Sequence, residues 1–135
     1  MRSCLISCLW LLLLAGNASA QVWVITDTRH PVTGNASAQR VIQLDAAQQI
    51  ETELSANLPA DPQRAAELIQ QRLNQGGASL QQRLREAYQG ITDAWSMGIT
   101  TLPAVVVDQR YVVYGETDLD KALTRIAQHR KENPQ

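Results

Sequence analysis

Thiol chemistry is the first possibility the sequence raises, and its residues stand in an odd place: the only cysteines are Cys4 and Cys8. Disulfide exchange needs a thiolate nucleophile and, for a two-electron cycle, a second thiol. Both sulfurs fall in the opening stretch MRSCLISCLWLLLLAGNASA, among apolar residues. Imidazole chemistry is the next candidate. His30 and His129 are the only histidines, and Asp27 is the acidic residue nearest His30. A metal site needs at least three converging ligands, and no third joins them, so neither a metal nor a cofactor is expected. His30, ahead of Pro31 in a polar loop, is expected to face solvent. Serine catalysis lacks a Gly-x-Ser-x-Gly elbow. The Asp118 and Asp120 carboxylates stand beside Thr117, where helix capping accounts for them, and Glu51 and Glu53 point to different faces of a helix. No catalytic residue emerges.

The opening stretch explains where the cysteines go. Arg2 is a short positive head, Leu5 to Ala15 an apolar run, and Ala18-Ser19-Ala20 a small-x-small ending, the layout of a cleaved secretory leader. A membrane span needs about 20 apolar residues, more than this run supplies. Residues 1–20 are therefore read as a signal peptide cleaved after Ala20, and residues 21–135 as one domain without a thiol, holding its fold by a hydrophobic core alone. Lys and Arg number 12 against 13 Asp and Glu, with no large block of either sign. That balance implies neither nucleic acid nor an anionic membrane surface as a direct partner.

Periodicity sets out the elements that must position any site. Val22 to Thr26 is a strand apolar on both faces, which suggests a central place in a sheet. Asp27 to Gln39 is a loop with at most a turn of helix, and Val41 to Leu44 a second strand. Asp45 is placed to cap a helix with the stripe Ala47, Ile50, Leu54 and Leu58, closed by Pro59. Asp61-Pro62 opens another helix, which Gly76-Gly77 ends. Ser79 and Gln82 form a capping box for a third, whose stripe Leu80, Leu84, Ala87, Tyr88, Ile91 and Trp95 predicts that Tyr88 and Trp95 lie in the core. Gly90 within it marks a close approach or a bend. Ala104 to Val107 and Tyr111 to Tyr114 are joined tightly enough to require an antiparallel hairpin, with one tyrosine of Tyr111 and Tyr114 facing outward if this strand is an edge. Thr117 and Asp120 are expected to cap the last helix, with its stripe Leu119, Ala122, Leu123 and Ile126. Helices packed on a mixed sheet make an α/β sandwich.

Leu102-Pro103 ahead of a β-run, then a hairpin, Gly115 and a capped terminal helix resemble the C-terminal half of the thioredoxin-like fold. The resemblance implies a mixed sheet with a helical insertion, and a cis Leu102–Pro103 bond before the C-terminal hairpin. In thioredoxin-like oxidoreductases a Cys-x-x-Cys motif follows the first strand, and the matching place here is Asp27-Thr28-Arg29-His30. Nothing there can exchange thiols. Pro31, Gly34 and the short span to Val41 suggest that the first helix of the fold is cut down or lost.

At closer range residues 22 to 127 resemble a family of short exported proteins encoded by integrating conjugative elements, related to the TrbC-like pilus-assembly proteins of F-type conjugation systems. The residues that carry it are Val22-Trp23-Val24-Ile25-Thr26-Asp27, Val41-Ile42-Gln43-Leu44-Asp45, the Leu58-Pro59 break, and Gly98 to Val106 through Tyr114-Gly115. One departure is Gln109, where members tend to have glycine after Asp108. A two-residue type I′ turn wants positive φ there, so glutamine costs about 1 kcal/mol or pushes the turn to another type.

The resemblance implies a non-catalytic periplasmic component of the type IV secretion apparatus that transfers DNA between cells. Such a component acts in assembly through contacts with other conjugation and secretion-apparatus proteins, without stable membrane insertion after cleavage. The candidate partner-binding groove is lined by Asp27, Thr28, Arg29, His30, Leu102 and Pro103. The alternative is a chaperone-like, redox-dead relative of thiol-disulfide isomerases that binds exported polypeptides.

Overall fold

The computed structural model describes residues 19–134. Cys4, Cys8 and almost all of the expected leader lie outside the described residues. The elements run β1 (Val22–Thr26), a 3₁₀ turn (Asn35–Ser37), β2 (Arg40–Gln43), α1 (Ala46–Ser55), α2 (Pro62–Ser96), β3 (Ala104–Val107), β4 (Tyr111–Tyr114) and α3 (Leu119–Glu132). The strands form one sheet in the order β2-β1-β3-β4. β1 runs parallel to β2 and antiparallel to β3, with Val24 opposite Val105, and β3 pairs antiparallel with β4. This is the thioredoxin-like α/β arrangement, with a helical insertion between β2 and β3.

Alternation along the central strands divides the core. Val22, Val24, Val105 and Val107 face α3 and pack on Leu119, Ala122 and Ile126. Ile25, Ile42, Ala104 and Val106 face the end of α2 and pack on Ala94 and Ile99. All four residues of β3 are buried, as a strand covered on both faces must be. The expected loss of the first helix is what the chain does. Between β1 and β2 it makes only the 3₁₀ turn, while Val32 drops into the α3-side core. That loop is sewn to the start of α3: Thr33 N donates to the Thr117 carbonyl at 2.8 Å, and Leu119 N to the Thr33 carbonyl at 3.1 Å.

Capping places the helices, with three departures from the sequence expectation. Asp61 caps α2 as expected, its carboxylate accepting from Arg64 N at 2.8 Å with Pro62 in the first turn. Asp45 sits at the N-cap of α1 but makes no capping bond; its side chain is drawn elsewhere, as described below. α1 also ends at Ser55, short of Pro59, where Asn57 takes φ 52° and Arg72 Nη1 donates to the carbonyls of Leu54 and Ala56, at 2.7 Å each. The cap of α3 is Asp118, which accepts from Lys121 N at 3.1 Å, while Thr117 lies one residue before it with its carbonyl bonded to Thr33.

α2 breaks where Gly76-Gly77 predicted an end, with Gly77 at φ 51° and ψ −140°, although helix resumes at once and the two arms read as one element. The buried residues of α2, namely Leu80, Ala87, Gly90 and Ala94, all follow the break. A Cβ on Gly90 would stand 2.9 Å from Ile42 Cγ2, so this glycine lets the helix lie down on β2. The same close approach corrects the core expectation. Small residues occupy the sheet-facing side of α2, and the bulky ones swing outward, leaving Tyr88 53% and Trp95 76% exposed.

The hairpin differs too. Val107 pairs with Tyr111, so three residues intervene where two were expected. Asp108 and Gln109 both take positive φ, 54° and 52°, and Arg110 N closes the turn on the Val107 carbonyl at 3.1 Å. Glutamine therefore adopts the left-handed conformation in place of glycine, and Arg110 is the extra residue before pairing resumes.

Candidate partner-binding site

β1 ends at Thr26 and delivers Asp27 to the end of the sheet, where its carboxylate is buried at 7% exposure. A buried carboxylate must be satisfied by nearby donors, and the three residues that follow supply most of them. Asp27 Oδ1 accepts from Arg29 N at 3.0 Å and His30 N at 2.9 Å, and it lies 2.7 Å from His30 Nδ1. Arg29 Nη2 reaches Oδ2 at 3.4 Å. Thr26 Oγ1 closes the knot by donating to the His30 carbonyl. Burial pushes the Asp27 carboxyl up, but the His30 ring, the backbone N–H groups of His30 and Arg29, and the charge of His30 together bring it below the ordinary value.

The expectation of a simply solvated His30 is thus half met. Its side chain is 44% exposed, yet one ring nitrogen is tied to a buried carboxylate. In the neutral ring that contact assigns the proton to Nδ1 and leaves the Nε2 lone pair for an incoming donor. Arg29, 83% exposed, carries its charge into solvent beside it.

Thr28 turns the other way. Its N–H and hydroxyl both donate to Asp45 Oδ2, at 3.1 and 2.6 Å, which explains the missing cap of α1. The Thr28 hydroxyl is the main cause of an Asp45 carboxyl held below its ordinary value, against the upward push of burial and with help from the Thr28 N–H. The loop after β1 is in this way fixed to the β2–α1 junction.

Leu102 and Pro103 approach from the neighbouring strand. The Leu102–Pro103 bond is cis, Pro103 is buried and Leu102 half-buried. Because Ile25 pairs with Ala104 in an antiparallel ladder, the end of β1 and the start of β3 share one end of the sheet. Asp27, Thr28, Arg29 and His30 therefore stand at the same sheet end as Leu102 and Pro103. Among the described residues no hydrogen bond or ion pair joins the two groups; the Pro103 carbonyl instead accepts from Gly115 N at 2.9 Å.

What the sequence reading missed is the wall beside them. Leu44, Trp95, Gly98, Ile99, Thr100 and Leu102 line an open hollow of about 630 Å³, with the Trp95 indole at its rim. Gly90 and Ala94 were the available signal: two small residues four apart on one helix face declare a tight helix–sheet contact, which leaves no room for the tryptophan next to them.

The other candidates have structural explanations. His129 packs edge-on to the Tyr111 ring, centroids 6.2 Å apart, and Glu53 pairs with Arg83 at 3.0 Å. Tyr111 is half-buried beneath Arg130, whose guanidinium carbon lies 4.5 Å from the ring centre, while Tyr114 on the same edge strand is the outward one. Among the described residues no three His, Cys, Asp or Glu side chains gather as metal ligands, and no helix is long and apolar enough to cross a membrane.

Neither the curated proteins nor the solved structures contain a match to the chain. A family model does match, over residues 19–132, and carries the description "Protein of unknown function (DUF1525)". The match takes in every strand and helix described above, and the chain belongs to the DUF1525 family.

Proposed function

We propose that the protein is a non-catalytic binding module: a thioredoxin-like body that docks a polypeptide at the surface formed by Asp27, Thr28, Arg29, His30, Leu102 and Pro103. The observation that carries this reading is the way the redox position of the fold has been refilled. Where a thiol pair would stand, Asp27 and His30 bind one another and Thr28 binds Asp45, so these side chains are committed to holding the loop's shape. The charge of Arg29, the outward nitrogen of His30 and the Trp95 hollow supply polar and apolar contacts around that rigid loop. Aromatic and arginine side chains are those that dominate binding at protein interfaces.

On the strength of the sequence resemblance, we place the module in the periplasm as an assembly component of a conjugative type IV secretion apparatus, with other apparatus proteins as its partners. The apolar hollow also suits a less selective role, a chaperone-like hold on exported polypeptides. A photo-crosslinking residue at position 29, in the periplasm of a conjugating donor strain, separates the two. Defined crosslinks to channel or pilus-assembly proteins support the assembly module, and a smear of unrelated exported proteins supports the chaperone-like role. Labelling confined to the cytoplasm would sink both.

A further inference from the structure

Residue 21, which precedes the first strand, is held on both sides of its backbone. Gln21 N donates to Asp108 Oδ1 at 2.9 Å, and Asp108 N donates to the Gln21 carbonyl at 2.8 Å. The other carboxylate oxygen, Asp108 Oδ2, takes Arg130 Nη2 at 2.7 Å, so Oδ1 is left for residue 21. Val22 N donates to Gln39 Oε1, which fixes the direction in which the chain enters the sheet. Asp108 from the hairpin turn bonds the Gln21 nitrogen, and Arg130 from α3 bonds Asp108 in turn, with Arg110 following in the same turn.

A peptide N–H asks only for a neutral acceptor. An α-ammonium in the same place carries a full charge, and a carboxylate at hydrogen-bond distance favours that charged form. We propose that Asp108 is the receptor for the α-ammonium created at Gln21 by cleavage after Ala20, and that it protects the new terminal glutamine from cyclising. The proposal rests on the leader reading.

The chemistry prevented is specific to an N-terminal glutamine. The neutral amine attacks its own side-chain Cδ, a C–N bond forms, the bond from Cδ to Nε2 breaks, and ammonia leaves with a proton from the amine. The product is a five-membered lactam, and no other reactant is consumed. Protonation removes the lone pair that attacks, so an amine held as ammonium on Asp108 does not react.

The test is to export the full chain from a bacterial host and weigh the intact purified product over time. Wild type and Asp108→Asn are held near pH 8, close to the ordinary α-amine pKa of about 7.7–8.0. Asparagine keeps an acceptor oxygen and removes the charge. The wild type loses ammonia slowly, and the variant loses it roughly four- to fivefold faster for each unit by which the carboxylate raises the amine pKa, the change in neutral fraction expected at a pH close to the ordinary value. Equal rates in two equally folded proteins overturn the proposal. So does an α-amine in the wild type that titrates, by the pH dependence of amine labelling, at or below that ordinary range; this readout does not depend on the variant folding. The same mass spectrum identifies the first residue. A product beginning elsewhere than Gln21 overturns the leader reading and removes the amine on which the proposal depends.

Discussion

Asp27 Oδ1 lies 2.7 Å from His30 Nδ1 while also accepting from the backbone N–H of His30, so one buried oxygen fixes both the ring and the main chain of the same residue. The imidazole cannot turn away without giving up the contact that aims it. Asp27→Asn keeps the shape and weakens the charge-assisted contact. The expected result is a folded protein whose His30 ring resonances move toward those of a free histidine and whose position-29 crosslinks fall at least severalfold. Unchanged ring resonances would mean that the carboxylate does not orient the ring.

Acid should destabilise the chain over a narrow window. The carboxyls of Asp27, Asp45, Asp93 and Asp108 are all held below their ordinary value of 3.8 in the fold. A carboxyl whose pKa is depressed by folding contributes stability that is present above the unfolded value and lost as pH falls through the folded one. The urea midpoint should therefore be flat from about pH 7 to 5 and fall below about pH 4, with the wild-type advantage over Asp27→Asn shrinking toward about pH 2. An advantage that is equal at both ends of that range contradicts the linkage.

Gly90→Ala should destabilise although alanine is the better helix former. The added Cβ would meet Ile42 Cγ2 at 2.9 Å, on a β-branched, buried side chain that cannot move aside cheaply. Overpacking of this kind costs about 1–3 kcal/mol, against up to ~1 kcal/mol gained in helix propensity. Chemical denaturation of Gly90→Ala, Ile42→Ala and the double variant should show the two positions coupled.

Trp95→Ala should leave stability within about 0.5 kcal/mol of wild type, because the indole is largely in water. If it anchors a partner, the same change weakens binding by about 2 kcal/mol or more, roughly thirtyfold. Loss of crosslinks at position 29 with an unchanged melting curve is the expected pair of results. Loss of stability with unchanged crosslinks would make Trp95 a structural residue.

Gln109→Gly should stabilise the hairpin. A non-glycine residue at φ 52° costs about 1–2 kcal/mol, of which glycine's extra freedom in the unfolded chain returns about 0.5–1 kcal/mol. The net gain is about 0.5 kcal/mol, read as a higher urea midpoint. A lower midpoint would mean that the glutamine side chain makes up for its backbone.

The strands, the loop that replaces a helix, the break at Gly76-Gly77 and the cis bond could be read or anticipated from the sequence, because each is set by local pattern or by fold resemblance. The residues misjudged were those decided by a distant partner. Asp45 looks like a cap until Thr28 arrives from the loop after β1, and the cap of the last helix falls to Asp118, one residue past a Thr117 whose carbonyl Thr33 holds. Trp95 looks like core because its spacing fits the stripe; the width of that stripe is set by Gly90 against Ile42, a contact made across the sheet. At the candidate site Asp27 and His30 are three apart and their pairing is local, but their placement at the end of the sheet with Leu102 comes from the β1–β3 register.

The break at Gly77 separates parts of α2 that are anchored very unequally. The arm before it contributes no buried residue, and Leu73 is exposed, while Arg72 bonds it to the end of α1. Amide protons on that arm should exchange with solvent by local opening, well before those of the arm that carries Leu80, Ala87 and Ala94. The first bond cut by a protease acting on the folded protein should lie there as well. The protein thus has a slow clock in its sheet and a fast one in the first arm of α2, and the glycine marks where one gives way to the other.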